Sequence, residues 1–382
     1  MKRKICVITG TRADYGIFYS IMNAIRVSGK LELYIVATGM HLMKEFGYTV
    51  NEIEKDGFAI YEKVDISYKE DSGLAMAGSF GQAVIKLSKT YAKLKPDLVV
   101  VLGDRGEMLA AAMAAIYFNI PIAHIHGGEV SGHVDGLLRH ALTKLSHIHF
   151  PASKSSKQRI LNLGEEAWRI FVAGAPALDR ALNEKLPAKN ELTRKYRINA
   201  NEPLLILAQH PVITEQDEAA AQIKVSLEAI MGFRLPTIVI YPNADAGGRR
   251  MIEVIKKYEA GNHIRSVKSL PHKDYLGLMK IASVLIGNSS SGIIEAPSFK
   301  LPFINIGDRQ SGRERGVNVI DVPPSKDAII MAIKKALYDK RFRTRVDKGR
   351  NPYGDGYAAQ RIVRILNKIR LDKMLLQKQM TY

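Results

Sequence analysis

One pattern recurs along almost the whole chain: a short run of β-branched and aliphatic residues, a turn, then an amphipathic stretch. In the first half the apolar runs are Ile5–Thr9, Leu31–Ala37, Leu98–Gly103, Ile120–Ile125, Ile148–Ala152 and Ile170–Ala173. Most are too uniformly apolar to alternate, as expected of strands buried on both faces. Helical stretches such as Ala75–Leu94 and Glu107–Phe118 separate them. The pattern breaks at Ala175-Pro176 and through the polar stretch Asn183–Asn201. It then resumes with Leu204–Ala208, Thr237–Tyr241, Ile264–Val267, Val284–Gly287 and Phe303–Ile306. Strands alternating with helices give βαβ units and parallel sheets covered on both sides. With 382 residues there is chain enough for two domains. The expected fold is therefore α/β: two doubly wound Rossmann-like domains with a central cleft. The first covers residues 1–175 and the second 176–360, with a basic helix at 361–382 docked back on the body.

Charge decides less than it first suggests. The chain carries 56 basic and 38 acidic residues, a formal +18. Between Lys340 and Tyr382 stand 12 Lys/Arg and 3 Asp, so half of that excess lies in the last part of the chain. Much of this stretch, Tyr357–Gln379, spaces Ile362, Ile365, Leu366 and Ile369 as an amphipathic helix does. It reads as a docked helix with a solvated basic face. A nucleic-acid arm or a membrane-surface helix is the competing reading, weakened because no aromatic residues interleave with the charges to stack bases. A basic protein can equally attract an anionic small substrate. The apolar run at the N-terminus is five residues long, too short for a signal peptide or a membrane span. A single cysteine, Cys6, excludes a disulfide scaffold. A cytoplasmic, membrane-free protein is expected.

Ligands of such sheets bind beyond the carboxyl ends of strands, so the residues there carry the functional reading. The first turn, Thr9-Gly-Thr-Arg-Ala-Asp-Tyr-Gly16, lacks the Gly-x-Gly-x-x-Gly fingerprint, and no Gly-x4-Gly-Lys-Ser/Thr loop occurs. Arg12 instead puts a cation beside the N–H groups of a helix start, which suits a phosphate; a surface arginine near a helix start is the plain alternative. Gly287-Asn-Ser-Ser-Ser-Gly292 follows an apolar strand and precedes a short helical stretch. Its small residues, Gly292 included, let backbone approach a ligand, and Ser289 and Ser290 can donate to a phosphate or simply cap the helix. Glu295, placed about one and a half turns into that helix, can accept both hydroxyls of a ribose. In the first domain, Gly103-Asp104-Arg105 and His124-Ile-His-Gly-Gly-Glu129 end successive strands, and Asp135 starts the next helix. Asp104, His126, Glu129 and Asp135 can then surround one small substrate as proton carriers, with Arg105 beside them. Six of the ten histidines lie between His124 and His149, but their spacing fits no metal motif and no thiolate accompanies them. No metal and no cofactor is expected. His210, directly after a strand in Gln209-His-Pro211, is placed to touch a phosphate or act as an acid.

Thr11-Arg-Ala-Asp-Tyr15, Gly103-Asp-Arg105, His126-Gly-Gly-Glu129, Arg139-His-Ala-x-Thr-Lys144, Gln209-His-Pro211, Pro242-Asn243, Gly287-Asn-Ser-Ser290 and Arg309-Gln310 occur in this order. Together they resemble the hydrolysing UDP-N-acetylglucosamine 2-epimerases of sialic and nonulosonic acid biosynthesis, over roughly residues 5–365. Relatives that epimerise without hydrolysis carry Gly-Thr-Arg-Pro-Glu in the first turn, where this chain has Gly-Thr-Arg-Ala-Asp. The resemblance implies a glycosyltransferase-B type fold, with acid–base groups in the first domain and UDP in the second. It implies phosphate contacts from Ser289, Ser290, Arg12, Arg105 and His210, a ribose contact from Glu295, and a uracil contact from the Leu270 backbone. Asn243 and Arg309 would line the nucleotide side. Some family members carry Glu where this chain has His126, a different proton carrier.

The implied reaction is anti elimination of UDP across C1–C2, then syn addition of water to the glycal, giving UDP and N-acetylmannosamine from UDP-N-acetylglucosamine. A UDP-2,4-diacetamido-2,4,6-trideoxyglucose substrate, as in a legionaminic-type pathway, is the alternative within the class. A UDP-sugar glycosyltransferase is the alternative outside it. Partners expected are the UDP-sugar, UDP, and further copies of the chain in a homodimer or homotetramer; neither membrane nor nucleic acid is expected.

Overall fold

The computed structural model describes residues 2–44, 47–66, 73–130, 133–212, 215–242, 247–259, 263–268 and 270–381, with the backbone alone at 133 and 134. The chain forms two units, Met1–Arg180 with Tyr353–Tyr382, and Ala181–Pro352. Each is built on a six-stranded sheet in which every pairing is parallel.

In the first unit the strands are β1 (Arg3–Thr9), β2 (Leu31–Thr38), β3 (Ile60–Val64), β4 (Leu98–Leu102), β5 (Ile122–Ile125) and β6 (Ile148–Phe150), in the order β3-β2-β1-β4-β5-β6. The order reverses beside β1, which is the doubly wound arrangement with helices on both faces. The central strands are apolar because both faces are covered: all five residues of β4 and all four of β5 are buried. Two expectations fail at the edges. β3, Ile-Tyr-Glu-Lys-Val, places two adjacent charges in the strand and buries only Val64 because an edge strand faces water, and so it carries no continuous apolar run. Ile170–Ala173 is apolar but is no strand; Ile170 makes a single bridge to His149.

The second unit repeats the plan with β7 (Leu205–Ala208), β8 (Thr237–Ile240), β9 (Ile264–Val267), β10 (Val284–Gly287), β11 (Phe303–Ile306) and β12 (Val319–Val322), in the order β12-β11-β10-β7-β8-β9. β12 is again a half-exposed edge strand that the apolar pattern does not reveal.

The C-terminal segment belongs to the first unit from Tyr353 onward, so residues 353–360, assigned above to the second domain, lie elsewhere. The reason is local. The Tyr353 carbonyl accepts from the Ala175 N–H at 2.7 Å, and the buried Asp179 carboxylate takes the N–H groups of Ala358 and Ala359 at 2.9 and 2.7 Å. Asp179 thereby satisfies donors that a helix start leaves unpaired. The helix Ala358–Lys368 then buries Ile362, Val363 and Leu366 in the first unit's core. The expected continuous helix to Gln379 stops there, because the Arg3 guanidinium takes the carbonyls of Leu366 and Ile369. A last turn, Lys373–Leu376, restarts on an Asp372 cap and buries Leu375. Among the described residues no helix is long and apolar enough to cross a membrane.

β10 ends on Gly287 at φ +127°, where an added Cβ would stand 2.1 Å from the Ala208 carbonyl oxygen of the neighbouring strand. Gly287→Ala therefore combines a forbidden dihedral with a backbone clash, and a stability loss of about 3 kcal/mol or more is expected. Urea unfolding of the variant measures it; a midpoint equal to wild type would contradict this account.

Candidate active site

At the carboxyl ends of β4 and β5, one side chain organises the others. Arg139, on the helix His133–Leu145, is 4% exposed. Its guanidinium pairs with the Asp104 carboxylate after β4 and donates to the His126 carbonyl after β5 at 2.6 Å. Both strand ends are thus fixed to one rigid fork. His126 is held further by its own N–H, which donates to the Phe150 carbonyl at 3.1 Å. It sits at φ +61°, a left-handed conformation that costs a non-glycine residue on the order of 1 kcal/mol. Its Nδ1 pairs with the Glu129 carboxylate, while Nε2 is buried with no hydrogen-bond partner among the described residues. The two intervening glycines permit this turn: a Cβ on Gly128 would meet the Ser156 carbonyl oxygen at 2.2 Å, and one on Gly127 the His124 ring at 2.9 Å. Asp104, His126 and Glu129 are therefore brought together. Asp135 is exposed, one helical turn before Arg139, on the same face of that helix.

A second cluster gathers after β1, β2 and β4. Asp14 closes a capping box with Thr11, accepting from the N–H groups of Thr11 and Gly10 at 3.0 and 3.2 Å. That carboxylate takes the N–H groups of the two residues just before the helix on which Arg12 stands first. Arg12 itself pairs with Glu52 at 3.2 Å, both half-exposed. Glu107 fits between Gly10 and Gly39, lies 3.4 Å from Arg105, and makes the Arg105 cation harder to discharge despite its burial. Burial, with Glu107 close by, raises Asp14 to about 6.

The second unit's strand ends are tied by Asn288, buried after β10. Its amide accepts from the His210 N–H at 2.7 Å and donates to the His210 carbonyl at 2.8 Å. Its own carbonyl accepts from Arg309 and Gln310 at 3.0 and 2.9 Å. His210, Arg309 and the serine loop are thereby brought into one group. Burial, then the Arg309 charge, lower His210 to about 4, so it is a neutral imidazole at pH 7 and no cation for a phosphate. Ser289 bonds Ser291 at 2.9 Å, and the Ser291 hydroxyl meets the buried Tyr275 hydroxyl. Ser290 begins the helix without a side-chain cap bond. That helix, Ser291–Ile294, is one turn long, so Glu295 closes it instead of lying inside it. Gly292 is small for a packing reason: a Cβ there would stand 2.4 Å from the Phe303 ring. Leu270 is buried, and Asn243 lies outside the described residues.

Sequence reasoning did not select Arg139, Glu107, Asn288 or Tyr275 as functional. Arg139 and Asn288 stand within the matched motifs, and Arg139 follows Asp135 by one helical turn; that spacing was the available signal.

Two all-parallel, doubly wound sheets in one chain define a glycosyltransferase-B-like α/β protein. The UDP-N-acetylglucosamine 2-epimerase from Neisseria meningitidis bound to UDP-GlcNAc superposes with a TM-score of 0.81 at 17% identity, over 96% of this chain and all of that one. A family model for UDP-N-acetylglucosamine 2-epimerase matches residues 23–367, and the chain belongs to that family. The Legionella pneumophila UDP-N,N'-diacetylbacillosamine 2-epimerase (hydrolyzing) is 40% identical over 382 residues, the whole of both chains. A Neisseria meningitidis UDP-N-acetylglucosamine 2-epimerase is 35% identical over 345 residues, 90% of this chain and 89% of its own.

Burial keeps three of the described histidines, His41, His124 and His147, neutral. Burial lowers His41 to about 4, His124 to about 3 and His147 to about 4. Each is neutral when folded but takes a proton near its ordinary value when unfolded, so its stabilisation is full above about pH 6.5 and is lost as pH falls. Asp14, raised by burial, has the opposite sign between its ordinary range and about 6. Three groups, each on the order of 2–4 kcal/mol, outweigh one of similar size. Urea midpoints are therefore expected to fall steadily from pH 6.5 to 4; midpoints that hold or climb over that range would overturn the assignment.

Proposed function

We propose that the protein is a hydrolysing 2-epimerase of a UDP-2-acetamido sugar, and that its substrate is UDP-2,4-diacetamido-2,4,6-trideoxyglucose. End-to-end similarity to the Legionella pneumophila enzyme carries the choice of sugar, because it exceeds in identity and coverage the similarity to the Neisseria meningitidis relative named for UDP-N-acetylglucosamine. UDP-N-acetylglucosamine, giving N-acetylmannosamine, is the second reading, and the latter relative favours it.

In the first step the C2–H proton leaves to a protein base as the C1–O bond to UDP breaks, giving the 2-acetamidoglycal. In the second, water adds syn: its oxygen bonds C1 and a proton reaches C2 on that same face, opposite to the face the first proton left, so C2 is inverted while the remaining proton of the water passes to a protein base. The proton carriers are drawn from Asp104, His126, Glu129 and Asp135. The buried His126 Nε2, without a partner among the described residues while Glu129 holds Nδ1, supports imidazole as the acceptor. Arg139 fixes Asp104 by pairing with its carboxylate. The diphosphate would take charge-assisted bonds from Arg12, Arg105 and Arg309, and hydroxyl bonds from Ser289 and Ser290. His210 would serve as a neutral donor, not a cation. Glu295 would accept the ribose hydroxyls, and Leu270 and Asn243 would border the nucleoside. A homodimer or homotetramer remains part of the proposal, supported by exposed Leu74, Met76 and Ile85 along the helix Gly73–Leu94. So does a cytoplasmic location, supported by the lone, free thiol of Cys6 and by a UDP-sugar substrate.

Proton NMR of the protein with each UDP-sugar in deuterated buffer tests the reading. The expected outcome is UDP release with a mannose-configured product carrying deuterium at C2, faster from the diacetamido substrate. Faster turnover of UDP-N-acetylglucosamine would transfer the assignment to the second reading. Sugar transfer only when an acceptor is supplied would replace both with a glycosyltransferase. Asp104→Asn is expected to lower kcat by about 10²–10⁴ with UDP affinity kept, as titration calorimetry and rate assays would show.

A further inference from the structure

The basic C-terminal segment takes part in none of the chemistry above, yet it is more tightly bonded than a solvated tail. Lys378 donates through Nζ to the carbonyls of Thr143, Lys144 and Ser146 at 3.2, 2.8 and 2.6 Å, and pairs with the buried Glu165 carboxylate at 2.7 Å. Those carbonyls close the helix His133–Leu145, whose last turn would otherwise leave its acceptors unpaired. An ammonium there also faces the negative end of the helix dipole. Glu165 is held well ionised: burial alone would raise it, but bonds from His149 and Lys378 bring it down to about 2. The chain on either side of Lys378 is fixed as well. The buried Arg169 guanidinium takes the carbonyls of Leu375, Met374 and Gln377 at 2.6, 2.9 and 3.3 Å, and the Thr381 N–H reaches the Gly164 carbonyl at 3.3 Å.

The helix closed by Lys378 is the one that carries Arg139. Thr143, whose carbonyl Lys378 holds, donates its hydroxyl to the Arg139 carbonyl one turn upstream at 3.1 Å. Arg139 in turn fixes Asp104 and the His126 backbone. We infer that Lys378 is a positioning residue for the acid–base groups: it sets the axial position of the helix His133–Leu145, and through Arg139 the placement of Asp104 and His126. This rests on the reading of those two as proton carriers. The last residues of the chain are then part of the catalytic apparatus without touching the substrate.

Lys378→Met keeps the alkyl stem but removes every donor, whereas Lys378→Arg keeps the charge and the donors. Lys378→Met is expected to lower kcat about tenfold with KM and UDP affinity within twofold, because small displacements of catalytic groups are costly in rate. Amide exchange over residues 133–145 should quicken in the same variant, and Lys378→Arg should restore kcat to within about threefold of wild type. Unchanged kcat alongside faster exchange would overturn the positioning role and leave a helix cap alone. An equal loss of kcat and UDP affinity would overturn it in favour of general loosening. Should wild type turn over no UDP-sugar, the reaction itself is misassigned, and unchanged exchange in Lys378→Met would then separately overturn the link from the tail to this helix.

Discussion

A strand in an all-parallel sheet cannot fold straight back; it must leave the sheet at its carboxyl end and turn sharply into a crossover. In this protein the turn repeatedly uses a left-handed residue: Gly39 after β2, Gly103 after β4, His126 after β5, Gly287 closing β10 and Gly307 after β11. Four of these five are glycine, which takes the conformation without strain. The fifth is a histidine, and the surrounding bonds to its N–H, carbonyl and ring hold it there. The geometry that parallel pairing demands thus also decides where polar side chains collect.

Buried polar chemistry is carried by a few bridging residues, one per strand-end group. Arg139 joins two ends in the first unit, and Asn288 joins three segments in the second. Each uses both halves of a planar group, so each fixes orientation as well as distance. The difference between them is electrostatic. Arg139 brings a cation that pairs with the Asp104 carboxylate, whereas Asn288 brings no charge, and burial together with the Arg309 charge lowers the proton affinity of His210.

The central strands were legible because burial on both faces makes them continuous apolar runs; β4 and β5 show this. β3 and β12 were not, because these edge strands are largely half-exposed and broken by charged residues, and so resemble loops. That Asp104, His126 and Glu129 come together was legible from position alone, since they follow strands that could be read. Arg139 was not, since nothing in the helical pattern shows that an arginine points inward until the two strands beside it are placed. The Arg12 turn carries a device that was not read: Thr11-x-x-Asp14 has the spacing of a capping box, and its carboxylate takes the N–H groups of Gly10 and Thr11. The tail packs on the first unit's core, but Arg3 and Arg169, which interrupt and clamp it, are remote in sequence and gave no local sign.

Glu107 reaches into a gap that exists only because positions 10 and 39 lack side chains. Three separate crossovers are therefore interlocked by a single carboxylate, and none can drift independently during evolution. A larger residue at 10 or 39 would demand a shorter one at 107, which would release Arg105. Substitutions there should appear in natural variants as a linked set or not at all, and an engineer remodelling this end of the sheet must treat the three loops as one mutational unit.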